Sequence, residues 1–215
     1  MILHGYFRSS TSLRVRAALN FKGVSYDQKA YPLLENAQRS SAYLDLNPQG
    51  LVPALELDDG SVLTQSLAIC EYIEDVWPEP PLMPEDALGR ARVRSLSQIV
   101  ALDVHPLNNL RVLQRLRSSC DQDDEGVAQW FRQWATTGFS ALEQRLSSET
   151  ATGLFCHGDQ PSIADVCLFA QVINNRRFSV SLEPYPTIAR IFERCEAVEA
   201  FAAAMPDRQP DAPSA

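Results

Sequence analysis

Hydrophobic and polar positions change rhythm along this chain, and the change divides it. Over the first eighty residues, short apolar runs alternate with helical stretches. "ILHGY" predicts a strand, and residues 11 to 22 predict a helix with Leu13, Ala17 and Ala18 at apolar positions. "VSYDQKA" predicts a second strand. A polar stretch with a short helix near residues 40 to 44 follows. "PALEL" and "SVLTQ" then flank Asp58-Asp59-Gly60, a hairpin signal. "SLAICEYIEDVW" predicts a helix with Ser66 as its N-cap. The order βαβαββα implies a small mixed sheet with helices packed on it.

"PEPPLMP", residues 78 to 84, holds four prolines in seven positions and ends that rhythm, because proline cannot continue a helix. Beyond it no strand is predicted. Residues 86 to 118 and 125 to 147 carry helical periodicity, with a kink expected at His105-Pro106. "PSIADVCLFAQVI" places Asp165 three residues after Ser162, a capping box that opens an apolar helix. Short helices near 185 to 195 and 198 to 204 precede a polar, proline-rich tail, "PDRQPDAPSA". The expected architecture is α/β plus all-α: residues 1–80 as one domain and residues 87–215 as an all-helical one.

Composition narrows the function. A net charge of -8 argues against a nucleic-acid binder, which usually carries a basic patch. No apolar run approaches the ~18 residues that span a bilayer, and no signal-peptide pattern is present, so a cytoplasmic protein without membrane contact is expected. Five cysteines are scattered and none forms C-x-x-C, which implies free thiols. The three histidines lack metal-ligand spacing, and no metal is expected. The nineteen basic residues are all arginine except Lys22 and Lys29. Arginine's planar fork suits carboxylates, although genome composition accounts for most of these arginines.

One stretch carries more hydroxyls than a helix start requires. In "YFRSSTSLRVRAALNFKG" the run Ser9-Ser10-Thr11-Ser12 falls where the first strand gives way to the first helix. An N-cap needs one such residue. Four leave room for a second purpose.

These segments resemble the zeta class of glutathione transferases. "YFRSSTSLRVRAAL" is similar to the class signature R-S-S-C-S-x-R-V-R-I-A-L, with Thr11 in place of the usual cysteine. "LNPQGLVPAL", "LTQSLAICEYIE", "GDQPSIADVCLFAQV" and the closing "RQPD" extend the likeness over nearly the whole chain. The resemblance implies a thioredoxin-like first domain, a helical second domain, and a glutathione-dependent cis–trans isomerase of maleylacetoacetate or maleylpyruvate. Thioredoxins place Cys-x-x-Cys at this strand–helix junction, where the helix N-terminus stabilises a thiolate. Here hydroxyls stand there instead, suited to a sulfur that a ligand brings. Ser9, Ser10 and Thr11 are thus expected as catalytic residues, with Ser9 as the main donor to sulfur.

Other roles follow from the resemblance alone. Val52-Pro53 matches the family's cis-proline, which would leave the Val52 N–H and C=O free to pair with glutathione like an added strand. Gln65 and Ser66 would hold the γ-glutamyl carboxylate at a helix N-terminus. Gln38 and Gln49 would face the glycine end, and His105 and Asn109 would contact glutathione. Arg8, Arg111 and Arg176 would hold substrate carboxylates, and a homodimer is implied. Two alternatives stand beside this reading: a transferase that conjugates or dehalogenates small electrophilic acids, and a non-catalytic interaction module.

Overall fold

The computed structural model describes residues 1–213; Ser214 and Ala215, the end of the predicted tail, lie outside them. The described chain forms two compact units, residues 1–82 with 197–213, and residues 83–196.

In the first unit, β1 (Ile2–Gly5) leads into α1 (Ser10–Phe21), and β2 (Asp27–Ala30) returns parallel to β1. After α2 (Ser41–Leu46), the strands β3 (Ala54–Glu56) and β4 (Val62–Thr64) form the hairpin that Asp58-Asp59-Gly60 predicts. Gly60 takes φ 84° there, a conformation that glycine reaches without steric cost. The sheet order is β2-β1-β3-β4, with β3 antiparallel to both neighbours. Helix α3 (Ser66–Val76) packs against α1. Leu3, Val15, Leu19, Leu55, Ile69 and Ile73 form the buried core of this unit.

The helices from 87 to 196 lie in the second unit, and the end of the chain lies with the first. Helix α9 (Glu199–Ala203) and the residues after it return to the first unit. The cause is a buried arginine. Arg16, on α1, donates to the carbonyls of Ala204, Tyr6 and Phe7, and burial lowers its pKa to about 10. Asp211 accepts the Phe7 N–H at 2.8 Å, and Asn20 donates to the Ala200 carbonyl. Lys22 closes the same unit by donating to Glu74 at 2.5 Å and to the carbonyls of Pro78 and Pro80.

The second unit holds α4 (Ala87–Gln98), α5 (Leu110–Ser119), α6 (Asp124–Ser148), α7 (Ile163–Arg176) and α8 (Pro186–Glu196). The break expected at His105-Pro106 begins earlier and takes another form. Residues Ile99–Val104 are a π-helix, continuous with α4. Gly138 of α6 explains its fit: a Cβ built there would lie 2.2 Å from Val104 Cγ2, so the wide turn presses where no side chain stands. The capping box is present. The Ser162 N–H and Oγ both donate to Asp165 Oδ2, and the Cys156 N–H donates to Oδ1. No described helix is long and apolar enough to cross a membrane.

Candidate active site

The hydroxyl run sorts itself by position. Ser9 is the N-cap of α1, and its Oγ accepts the Ser12 N–H at 3.2 Å. Ser12 is fully buried, its Oγ against Gly5 of β1. Ser10 is buried in the first turn, which leaves Ser9 and Thr11 as the more accessible pair. Thr11 Oγ1 donates to the Val52 carbonyl at 2.9 Å, and the Ser9 and Thr11 hydroxyls lie 2.9 Å apart. A hydroxyl has one proton and a carbonyl can only accept, so Ser9 is the donor to Thr11. Protons therefore point one way, from Ser9 to Thr11 to Val52.

The Val52–Pro53 peptide is cis. The Val52 carbonyl accepts from Thr11 on one lone pair, which leaves the other for a ligand. The Val52 N–H has no partner among the described residues. The preceding carbonyl, Leu51, is fixed by Tyr43 Oη and by Asn47 Nδ2, each at 2.7 Å. Burial pushes the Tyr43 phenol up to about 12, against the Asn47 hydrogen bond.

At the start of α3, Gln65 stands at φ 68° and ψ 111°, a sparsely populated conformation for a residue with a side chain. Its side chain does not cap the helix. Gln65 Nε2 reaches instead to Gln49 Oε1 at 2.9 Å. The first-turn N–H groups of α3 thus lack the side-chain acceptor that helix N-termini ordinarily recruit. Ser66, the first residue of α3, is buried and accepts from Arg14 Nη1 at 3.2 Å. Gln38 makes no hydrogen bond to this pair, and its Oε1 is buried without a partner. Arg8 extends over the Phe7 ring, 5.9 Å from its centroid.

In the second unit, the π-helix ends at His105. His105 Nε2 and Asn109 Nδ2 lie 3.4 Å apart, and Asn109 caps α5 by accepting the Arg111 N–H. Arg111 is exposed in the first turn of that helix. Arg176 lies at the end of α7. It pairs with Glu196 at 2.9 Å and lies over the Phe192 ring at 4.8 Å, so its charge is already answered by α8.

The model of the glutathione S-transferase N-terminal domain matches residues 8–76. Over 98% of its length the chain is 44% identical to the maleylpyruvate isomerase of a Ralstonia species, covering 99% of that protein. This chain belongs to the maleylacetoacetate isomerase family of glutathione transferases. A solved family member from Methylobacterium extorquens AM1, with malonate and glutathione bound, is 43% identical, covers both chains fully and superposes with a TM-score of 0.97. Another, from Anaeromyxobacter dehalogenans 2CP-1, holds dicarboxyethyl glutathione and citrate; it is 42% identical, with 99% and 93% of the two chains covered and a TM-score of 0.88. The family's fold is the one seen here, a thioredoxin-like unit with a helical one.

Within this family site, sequence reasoning passes over Arg14. The clue was present in "SLRVRAAL", where two arginines interrupt an apolar run, yet arginine ordinarily signals a solvated surface. Both Arg14 and Arg16 are 1% exposed.

Proposed function

We propose that this protein is a glutathione-dependent cis–trans isomerase acting on maleylacetoacetate or maleylpyruvate. The observation that carries the reading is the one-way hydroxyl chain at the N-terminus of α1, placed where related folds keep a redox thiol. The residues fit glutathione on independent grounds. Among the described residues the Val52 N–H has no partner and the α3 N-terminus has no side-chain cap, and Arg14 places a buried positive charge behind Ser66.

When bound, glutathione would supply a sulfur nucleophile for the conjugated cis double bond. The chain's own residues prepare that sulfur. An unperturbed cysteinyl thiol has a pKa near ~8.5, and positive helix ends with preorganised donors lower it. The Ser9 proton, which ends on a hydroxyl, turns to the sulfur at little cost, while Thr11 keeps its own proton on Val52. Gln65, Ser66 and the first turn of α3 hold the γ-glutamyl carboxylate, and the Val52 N–H aligns the cysteinyl unit. Gln38 and Gln49 serve the glycine end. His105 and Asn109 flank the tripeptide, and Arg8 and Arg111 bind substrate carboxylates. A homodimer completes the reading. Sedimentation should return about twice the 23.9 kDa chain mass.

The direct test follows the loss of enedione absorbance of maleylpyruvate and of maleylacetoacetate, each with and without glutathione. Conversion of at least one substrate that requires glutathione, with no net thiol consumed, is expected. Stoichiometric loss of thiol would make the protein a conjugating transferase. No conversion of either substrate would reject isomerase chemistry.

A further inference from the structure

Arg14 is enclosed, yet its charge is only partly answered. It is 1% exposed on α1, and Nη1 donates to Ser66 Oγ at 3.2 Å. Nε and Nη2 are buried without any hydrogen-bond partner. Among the described residues no carboxylate forms an ion pair with this guanidinium. Arg16, two residues on, spends its donors on three carbonyls, and Lys22 meets Glu74. Buried cations are normally paired in this way, because removing a charge from water without a partner is costly. Arginine cannot escape by losing its proton.

The missing counter-charge has a natural place. Ser66 opens α3, an eleven-residue helix whose preceding residue, Gln65, offers no side-chain cap. A serine oxygen that accepts from a guanidinium keeps its own proton to donate, and a charged donor behind it polarises that O–H. The local arrangement is therefore a relay: guanidinium, hydroxyl, then whatever anion sits at the helix N-terminus.

We propose that Arg14 is the fixed counter-charge for the carboxylate bound at the start of α3, acting through Ser66 as a positioning residue. This rests on the glutathione reading of the site, in which that anion is the α-carboxylate of the γ-glutamyl residue. Arg14 then reads the carboxylate and not the tripeptide as a whole.

The test compares calorimetric binding of two ligands: glutathione, and γ-aminobutyryl-cysteinyl-glycine, which lacks only that carboxylate. Wild type, Arg14→Met and Arg14→Lys are each examined. Hydrogen bonds to charged groups are strong enough that Arg14→Met should weaken glutathione binding by about tenfold or more. The same variant should hold the analogue within about threefold of wild type. Arg14→Lys, which keeps the charge, should retain part of the preference. Equal loss for both ligands would make Arg14 a packing residue and overturn the proposal, as would unchanged glutathione affinity. Should Arg14→Met fail to fold, the wild type decides. A preference for glutathione of about tenfold that survives about 0.5 M salt supports a buried charge, which salt screens little; one erased by salt overturns it. A wild type that binds neither ligand would overturn the glutathione reading itself, and this relay with it.

Discussion

The proton order at the start of α1 assigns unequal tasks to neighbouring hydroxyls. Ser9 ends on a hydroxyl and Thr11 on a carbonyl, so redirecting Ser9 sacrifices the weaker acceptor. Ser9→Ala is expected to lower turnover by about 10²-fold or more, the usual cost of removing one preorganised donor to a developing anion. Thr11→Val should cost less, since Thr11 orients Ser9. Turnover in the enedione assay decides, and the reverse ranking would hand the donor role to Thr11. A second contrast separates two arginines that the sequence treats alike. Arg111→Ala should raise KM for the dicarboxylate several-fold, with glutathione affinity held within about threefold. Arg176→Ala should leave KM within about twofold, because its charge already meets Glu196 at the surface.

At the scale of elements, the close approach of α6 to the π-helix is the tightest constraint on His105 and Asn109. Gly138→Ala would put a methyl 2.2 Å from Val104 Cγ2, and overpacking of this kind costs about 1–3 kcal/mol. A lowered urea midpoint should be accompanied by weaker glutathione binding, because the residues that follow the π-helix shift with it. Unchanged binding at reduced stability would separate the two. This region also marks where sequence legibility ended. The hydroxyl cap of α1, the Asp-Asp-Gly hairpin and the Ser162–Asp165 box are local signals, and each appears where its residues predict it. The π-helix is not local: Gly138 and Val104 are far apart in sequence, and periodicity sees one helix at a time. Arg14 and Arg16 were hidden for a related reason, since the acceptors that make their burial tolerable come from α3 and from residue 204. Within the candidate site, the hydrogen-bond directions were not legible, because they depend on partners brought from other elements.

At the scale of the whole molecule, one of the chain's two lysines is structural. Lys22 holds Glu74 and the proline segment at the end of the first unit. Lys22→Ala removes the buried Lys22–Glu74 ion pair, and breaking one side of such a pair costs about 3–5 kcal/mol, measurable by urea unfolding. Replacing both members by apolar residues of similar size should recover much of the loss.

The return of residues 197–213 to α1 also sets an order of events during synthesis. The helical unit, 83–196, is contiguous and can close as soon as it leaves the ribosome. The first unit cannot. Although its strands emerge first, the Arg16 guanidinium lacks the Ala204 carbonyl, and the Phe7 N–H lacks Asp211, until nearly two hundred further residues have been made. Domains commonly fold in the order in which they are translated. Here the order is inverted: the segment translated first, which carries the Ser9–Ser12 hydroxyls, is the one completed last. A nascent chain released early would therefore carry a closed helical unit and an unfinished first unit.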